Sequence, residues 1–368
     1  MIRPYEPKAL PLEGIDWTGH VPLIGKANAA LGRYDGMLQS IVNPGVLLSP
    51  LMSQEAVLSS RIEGTQATME EVLEYEADPN EPIEPGKQAD IQEILNYRQA
   101  MGQAVESLKK RPLCLNIVKE LHVTLLNSVR GRNKAPGEFR RVQNFIGPAG
   151  STAETATFVP PSPDRLREAL GNWEKYLHFE EKDRLVQLAV AKAQFELIHP
   201  FLDGNGRIGR MLVPLFLFAK GILSSPMFYV SAYFEEHREV YYTRLQAISR
   251  EDDWNGWIQF FLTAIAEQAQ INSEKTGAIL VLYQRMKAEI PEATRSQYAI
   301  QAIDALFDRP IFTSTDFMAR SKIPEDSARR ILKTLKDRGV VGNLRAGKGR
   351  RAGVLVFPDL IEITEKGR

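Results

Sequence analysis

Apolar residues recur at helical spacing through most of the chain. The pattern is clear over residues 22–75, 91–97, 115–129 and 166–288, and recurrence at i, i+3, i+4 and i+7 predicts amphipathic helices. The apolar run MLVPLFLFAKGIL is too short to cross a bilayer and indicates a buried core helix. The chain is therefore predicted to be mainly α, with an almost entirely helical middle.

Two segments break the helical pattern. Between Phe139 and Pro161, β-forming residues flank a Pro-Ala-Gly-Ser sequence and a double proline ends the run, which predicts a β-hairpin. After Pro310, a helical SARRILKTLKDRG is followed by two β-rich runs around a basic glycine loop. Helix, turn, helix and hairpin in this order are typical of a small winged helix-turn-helix domain.

These changes along the chain predict four regions. The acidic, proline-containing stretch Ala77 to Lys87 is predicted to be a loop between helices. The regions are an N-terminal helical region over 1–110, a central core over 111–270, connecting helices over 271–308 and the winged-helix domain over 309–368.

Charge and cysteine content narrow the functional classes. The 368 residues carry no formal net charge, so a nucleic-acid partner must be met by a local patch. Residues 309–368 hold 14 basic and 7 acidic side chains, which makes this region the candidate DNA-binding surface. The single cysteine, Cys114, excludes an internal disulfide and a thiolate zinc cluster. The start lacks a signal-peptide pattern, so we expect a cytoplasmic protein without a membrane partner.

The most informative stretch is HPFLDGNGRIGR, residues 199–210. It matches the dinucleotide-binding pattern G-x-G-x-x-G, but a helical segment precedes it and no acid follows before Glu235, so a Rossmann turn is not predicted. A helix that ends near His199 and a second that begins near Asn205 would instead point the backbone N–H groups around Gly204 at one position. A glycine loop before a helix N-terminus predicts an anion site.

The other side chains of this stretch suit phosphate chemistry. Arg207 and Arg210 lie three residues apart on the second helix and are predicted to clamp successive phosphates. Asp203 would hold Mg²⁺ beside a polyphosphate, and His199 would accept a proton near neutral pH. Together these residue types predict a phosphoryl or nucleotidyl transferase.

The same stretch resembles the signature of Fic-domain proteins, H-x-F-x-[DE]-G-N-G-R-x-x-R, and matches it at every fixed position. The resemblance implies an adenylyltransferase that uses ATP and Mg²⁺ to transfer AMP to a Ser, Thr or Tyr hydroxyl of a target protein. It also implies an all-helical core with a β-hairpin flap, here residues 139–161, that docks the target by β-addition.

The resemblance further assigns roles to individual residues. His199 would be the catalytic base, Phe201 a core anchor and Asp203 the metal ligand, while Tyr242 would contact the adenine. Gly206 stands where relatives that phosphorylate have a lysine, which favours AMP transfer. The implied phosphate-binding residues are Gly204, Asn205, Gly206, Arg207 and Arg210.

A second pattern of the same family, [ST]-x-x-x-E-[GN], is matched by SSRIEG through Ser59, Glu63 and Gly64. The resemblance implies an inhibitory helix whose Glu63 carboxylate pairs with Arg210 and competes with the γ-phosphate. ATP would then bind with its α-phosphate poorly aligned for attack. The same Glu63 could instead orient a water that removes AMP from a target, and the sequence does not choose between the two.

A different class of function also stays open. Basic residues of the predicted winged helix could neutralise DNA phosphates, and the Fic pocket would then serve a transcriptional regulator as a nucleotide sensor. Intact His199 and Asp203 favour the enzyme, since a sensor needs neither a base nor a metal ligand. Self-modification and a homodimer also remain open. The candidate DNA contacts are Arg329, Arg330, Lys333, Lys336, Arg345, Lys348, Arg350 and Arg351.

Overall fold

The computed structural model describes residues 3–79, 82–127, 133–148, 150–347 and 352–366. Helices dominate these ranges, and three short strands lie near the C-terminal end. The helices and strands are α1 (Trp17–Ser40), α2 (Pro44–Leu47), α3 (Ser49–Ile62), α4 (Met69–Ala77), α5 (Pro85–Leu108), α6 (Leu115–Leu125), α7 (Leu166–Leu177), α8 (Arg184–Ile198), α9 (Asn205–Ala219), α10 (Ser231–Glu236), α11 (Arg238–Glu251), α12 (Trp254–Thr294), α13 (Ala299–Asp308), β1 (Ile311–Thr313), α14 (Ser314–Ser321), α15 (Glu325–Asp337), β2 (Gly342–Arg345), β3 (Val354–Val356) and α16 (Pro358–Glu365).

The core is built around α8, which is buried on every side. A helix without a polar face belongs at the centre of a helical domain, and α7, α9 and α12 pack around α8. Two fully buried indoles donate from Nε1 to carbonyl oxygens of α8, Trp173 to Ala191 at 2.7 Å and Trp257 to Ala189 at 2.8 Å. The mainly α fold is confirmed.

Helix α12 alters the predicted domain division. Its 41 residues run without interruption through position 270, where the central core was predicted to end. One side of α12 packs along α1 and α8, and its C-terminal half contacts α13, α15 and α16. The residues predicted as connecting helices are therefore the continuation of a core helix followed by α13.

Helix α3, which carries the predicted inhibitory pattern, is almost wholly buried against α5, α9 and α10. Its end is set by Gly64, which has a φ of +102°, a left-handed conformation that glycine adopts without strain. The Gly64 amide donates to the Arg61 carbonyl at 2.9 Å. This termination places Glu63 at the end of the helix, facing α9.

In the described part of the predicted hairpin over 139–161, pairing is reduced to a single antiparallel bridge between Ile146 and Phe158. The bridge is closed by two backbone hydrogen bonds of 3.0 and 3.1 Å. Pro148 and Pro160 lack the N–H that a longer ladder needs, and the Ala156 amide donates to the Thr152 carbonyl at 2.9 Å in a turn of its own. The β-forming residues therefore make a flap that is mostly irregular.

The C-terminal elements form a small unit of helices and a sheet. Strands β1, β3 and β2 lie in that order in an antiparallel sheet, with Val356 opposite both Ile311 and Gly342. The helices α14 and α15 precede the β2–β3 pair, as the sequence pattern predicts. The winged-helix classification stays a prediction.

Ion pairs attach this unit to α4 and the residue that follows it. Glu76 accepts from Arg98 at 2.6 Å and from Arg309 at 3.4 Å, and Arg345 lies 3.3 Å from Asp78. Arg345 is therefore engaged within the chain, which corrects its prediction as a DNA contact. The sequence could not show this, because the two partners are separated by 267 positions.

Replacing Glu76 by alanine is expected to lower the free energy of unfolding by roughly 1–3 kcal/mol, since it leaves two largely buried guanidinium groups with one acceptor fewer. Urea titration of the variant and the parent measures the loss. Glu325→Ala is the matched control, because Glu325 and Arg329 pair on the exposed face of α15 and such pairs contribute about 0–1 kcal/mol. Equal losses in the two variants would contradict the role given to Glu76.

Candidate active site

The motif loop lies between the end of α8 and the start of α9. His199 ends α8 with φ 50° and ψ 61°, and Gly204 precedes α9 with φ 79°. Between them Phe201 is fully buried, stacked on His122 with ring centroids 3.8 Å apart. These two left-handed residues turn the chain sharply, so that His199 and the N-terminus of α9 face the same cleft.

Asn205 braces the motif loop from within. Its side chain accepts from the Phe201 amide and donates to the Phe201 carbonyl, both at 2.9 Å, and the residue is 2% exposed. The contact with the α-phosphate that the resemblance implies for Asn205 stays a prediction. A phosphate would meet the backbone N–H groups of the first turn of α9, which have no acceptor within the helix.

Arg210 is held by the predicted inhibitory helix. Its Nη2 lies 2.6 Å from Glu63 Oε1 and 2.8 Å from the Ser59 carbonyl oxygen, and its Nε donates to Ser59 Oγ at 2.8 Å. Arg210 is 1% exposed, whereas about a third of the Glu63 side chain is exposed. The structure thus brings Arg210 of the motif into contact with Ser59 and Glu63 of the inhibitory pattern.

The electrostatics of this contact favour the charged pair. Burial acts to raise the pKa of Glu63, but the neighbouring Arg210 outweighs it and holds that pKa below its ordinary value. Burial likewise opposes the charge of Arg210, and Glu63 is the main cause that raises its pKa. Both groups are ionised at neutral pH, as a charge-assisted hydrogen bond requires.

Arg207 points away from Arg210. Its Nη1 lies 3.1 Å from a Glu93 carboxylate oxygen on α5, and its Nη2 lies 3.1 Å from Asp203 Oδ1. The two arginines therefore do not form one clamp, because each is engaged by carboxylates from a different side. Glu93 was missed in the sequence, since no motif marks it and it lies 114 positions from its partner.

A cleft of about 200 Å³ extends from the motif loop. Its lining includes Glu63, His199, Gly206 and Arg210, together with Tyr242 of α11 and the flap residues Ile146 and Phe158. Tyr242 is 40% exposed. A cleft that combines apolar and aromatic side chains with anion-binding groups suits a nucleotide.

Tyr241 belongs to the core beside this cleft. It is 1% exposed, its hydroxyl donates to the Glu196 carboxylate at 2.7 and 2.8 Å, and it accepts from Lys192 Nζ at 2.6 Å. Burial is the main cause that lowers the pKa of Lys192 to about 8. These three groups compensate one another, and Tyr242 is the more exposed of the two tyrosines that line the cleft.

The His199 imidazole is neutral. Its Nδ1 lies 3.3 Å from the Glu196 carbonyl oxygen, so a proton on Nδ1 leaves Nε2 as the acceptor. Burial above all, with a contribution from the charge of Arg140, lowers the pKa of His199 to about 4. A neutral imidazole with a free Nε2 can take a proton from a hydroxyl.

His122 is a second neutral histidine, and it supports the motif loop from behind. It is fully buried, its Nδ1 accepts from the Gly137 amide at 2.8 Å, and its Nε2 lies 3.1 Å from the Asp203 carbonyl oxygen. His122 is therefore a core histidine with both ring nitrogens engaged. Burial lowers its pKa to about 4.

Acid is expected to destabilise the protein between about pH 6.5 and 4. In that window an unfolded His122, with its ordinary pKa of 6.5, binds a proton that the folded state excludes, so stability is lost as the pH falls. The loss is on the order of 3 kcal/mol for this one histidine. Urea titrations at pH 7 and 4.5 should show a smaller loss for His122→Gln than for the parent. His178→Gln, at an exposed position, should match the parent.

The Asp203 carboxylate is suited to bind Mg²⁺ together with phosphate oxygens of a substrate. Its side chain is 44% exposed, and its Oδ1 accepts from the Gly204 amide and from Arg207, which orients the carboxylate. Within the described part of the chain no cluster of three or more metal-binding side chains occurs. One carboxylate completed by phosphate oxygens and waters is a common way to bind Mg²⁺.

Solved structures share this architecture. A Fic family protein from Desulfovibrio desulfuricans G20 superposes with a TM-score of 0.59 at 19% identity, over 96% of this chain and 98% of that one. A Fic-1 fragment from C. elegans gives a TM-score of 0.54 at 18% identity, over 71% and 74% of the two chains. The fold is that of the Fic class.

Family models identify the chain itself. Residues 21–106 match the Fic/DOC family N-terminal model, and residues 112–217 match the Fic/DOC family model. The two matches together span more than half of the 368 residues, and the chain belongs to the Fic/DOC family.

Relatives with names were also found. The protein adenylyltransferase Fic of Drosophila grimshawi is 34% identical over 133 residues, which are 35% of this chain and 25% of that protein. The protein of the same name from Culex quinquefasciatus is 32% identical over 173 residues, 46% of this chain and 31% of that protein. The matched region thus spans about a quarter to a third of these relatives. No helix in the described ranges is long and apolar enough to cross a membrane.

Proposed function

We propose that the protein transfers AMP from ATP to a hydroxyl of a target protein. The observation that carries this proposal is the cleft in which a neutral His199, the N-terminus of α9, Arg210 and the Tyr242 ring meet. The relatives named protein adenylyltransferase support it. A proton acceptor, an anion site and a nucleoside site are the groups that attack of a hydroxyl on the α-phosphate requires.

In this reaction His199 Nε2 takes the proton of the target hydroxyl. The hydroxyl oxygen then bonds to the α-phosphorus, the bond from that phosphorus to the bridging oxygen breaks, and pyrophosphate leaves. Backbone N–H groups at the start of α9 stabilise the charge on the α-phosphate. Mg²⁺ held at Asp203 would neutralise charge on the phosphates when bound. Arg210 would bind the γ-phosphate once it is free of Glu63.

The described conformation is an inhibited one in this proposal. The Glu63 carboxylate holds Arg210 at 2.6 Å and lies so close to Gly206 that an added Cβ there would collide with it. ATP can then bind only in a displaced pose, with poor alignment for attack. Removal of AMP, with Glu63 orienting a water, is the alternative activity of the same site.

The test is the position of the label that reaches protein. The Glu63→Gly protein is incubated with Mg²⁺, a cell lysate and ATP labelled on either the α- or the γ-phosphate. Protein labelled from the α-position alone supports AMP transfer. Label from the γ-position shows phosphoryl transfer, and no label from either position, with ATP binding shown by calorimetry, contradicts a transferase.

A DNA-binding regulator remains the second candidate because of the exposed face of α15. Arg330, Lys333 and Lys336 are exposed on this helix, and no ion pair within the described ranges involves them. Arg329 pairs with Glu325 at 2.6 Å. The other candidate contacts Lys348, Arg350 and Arg351 lie outside the described residues. Binding to duplex DNA that weakens steeply with salt would support this candidate, and no binding at low salt would contradict it.

A further inference from the structure

Arg140 is a buried arginine between the flap and the motif loop. It is 3% exposed, and every acceptor of its guanidinium among the described residues is a carbonyl oxygen. Nε donates to His199 at 2.9 Å, Nη1 to Val142 at 3.1 Å, and Nη2 to Pro161 at 2.5 Å and to Ile198 at 3.4 Å. One side chain therefore joins both ends of the flap to the end of α8.

This cation is buried without a carboxylate. No ion pair within the described parts of the chain involves Arg140, and burial lowers its pKa to about 10. A buried charge is costly unless several hydrogen bonds compensate it. The neighbouring Arg141 is typical of a surface arginine, since its side chain is 86% exposed and pairs with Glu138 at 3.2 Å.

The backbone of Arg140 adds a hydrogen bond to those made by its side chain. The Arg140 amide donates to the Pro200 carbonyl at 2.9 Å, so the last residue of α8, Ile198, and the first two residues of the motif loop, His199 and Pro200, all accept from Arg140. His199 lies in the middle of the three, in a left-handed conformation that is uncommon for residues other than glycine. The contacts to Arg140 are part of the surroundings of His199.

We propose that Arg140 is the positioning residue that locks the target-docking flap and His199 into one arrangement. The inference rests on the proposed function and explains how a mostly irregular flap can present a hydroxyl accurately to Nε2. A misplacement of about 1 Å can cost roughly a hundredfold in rate. The described residues of the flap form one β-bridge, and two flap side chains add attachments to the motif loop: Asn144 Nδ2 donates to the Phe201 carbonyl at 2.9 Å, and Arg140 reaches His199 itself.

The charge of Arg140 adds an electrostatic consequence. The charged groups that act on the His199 imidazole are Arg140, Glu63 and Asp203, and its Nδ1 faces the Glu196 carbonyl. Without Arg140, the carboxylates of Glu63 and Asp203, or that of Asp203 alone in an E63G protein, would act on His199 without this opposing cation, and the imidazole would be more easily protonated. A charged but differently shaped lysine at position 140 would keep the electrostatic effect and lose the fork of hydrogen bonds.

The test compares R140M, R140K and the control R141M, each in the E63G background. The titration of His199 is followed by NMR of ¹³C-labelled histidine and assigned with H199Q, and amide hydrogen exchange is measured over residues 142–161 and 198–201. We expect R140M to raise the pKa of His199 and to speed exchange in both segments about tenfold or more. R140K should speed exchange with the pKa kept, and R141M should change neither.

Each outcome of this experiment supports or overturns the positioning role of Arg140. Unchanged exchange in both R140M and R140K would overturn the positioning role, even if R140M is less stable as a whole, because R140K retains the charge. Label transfer from α-labelled ATP to lysate proteins is measured in parallel and should fall about tenfold or more in R140K. If the E63G parent transfers no label, the proposed function fails, while the exchange and titration results still decide the role of Arg140.

Discussion

Replacing Glu63 by glycine is expected to raise AMP transfer by roughly ten- to a hundredfold. The substitution removes the carboxylate that holds Arg210 at 2.6 Å and that lies over Gly206. Arg210 becomes free for the γ-phosphate, and the first turn of α9 becomes accessible to the α-phosphate. The measurement is the initial rate of label transfer from α-labelled ATP at saturating ATP and Mg²⁺.

Two neighbouring serines provide a matched comparison for this prediction. Ser59 Oγ accepts from Arg210 Nε, so Ser59→Ala should release Arg210 in part and raise the rate less than Glu63→Gly does. Ser60 is equally buried, but its hydroxyl has no hydrogen-bond partner among the described residues, and Ser60→Ala should leave the rate unchanged. Equal rates in Glu63→Gly and the parent would remove the inhibitory role.

Replacing His199 by alanine in the Glu63→Gly background is expected to lower the rate by about 10² to 10⁴. The substitution removes the Nε2 acceptor that lies in the cleft with Gly206 and Arg210. The phosphate-binding groups stay in place, so the Kd for ATP should change little. Label transfer and isothermal titration calorimetry with ATP and Mg²⁺ measure the two quantities separately.

His178→Ala is the control for this prediction, because His178 is exposed at the end of α7. It should transfer AMP at the rate of its Glu63→Gly parent. A His199→Ala protein that keeps a near-parental rate would show that another group accepts the proton. Loss of ATP binding in the same variant would show instead that His199 helps to form the nucleotide site.

The periodicity of the sequence was sufficient for the helical core, and its resemblance to the Fic family implied the contact of Glu63 with Arg210. Helical periodicity reports which face of a helix is buried, and the two short patterns supplied the residues that meet at the cleft. The strand pairing of the flap was less predictable, because β-forming side chains indicate an extended backbone but do not show whether two segments pair through backbone hydrogen bonds. The prolines at 148 and 160 leave only the bridge from Ile146 to Phe158 in its described part.

The sequence could not predict which polar side chains pair with one another in the site. The side chain of Asn205 closes a local ring with Phe201. Glu93 and Arg140 carry no motif, and their partners lie far along the chain. Arg345 was expected to face DNA and instead pairs with Asp78. In each case the tertiary fold decides which acceptor a buried donor finds.

By itself, then, the sequence determined the mainly α fold, the family, the loop between α8 and α9, and the residues of the candidate cleft. These properties depend on local periodicity and on closely spaced side chains, which a single chain segment specifies. The tertiary structure alone decided the reach of α12, the irregular flap, the separate partners of Arg207 and Arg210, and the burial of Arg140. Those depend on contacts between distant segments, because a buried polar group must be satisfied by whatever the fold brings beside it.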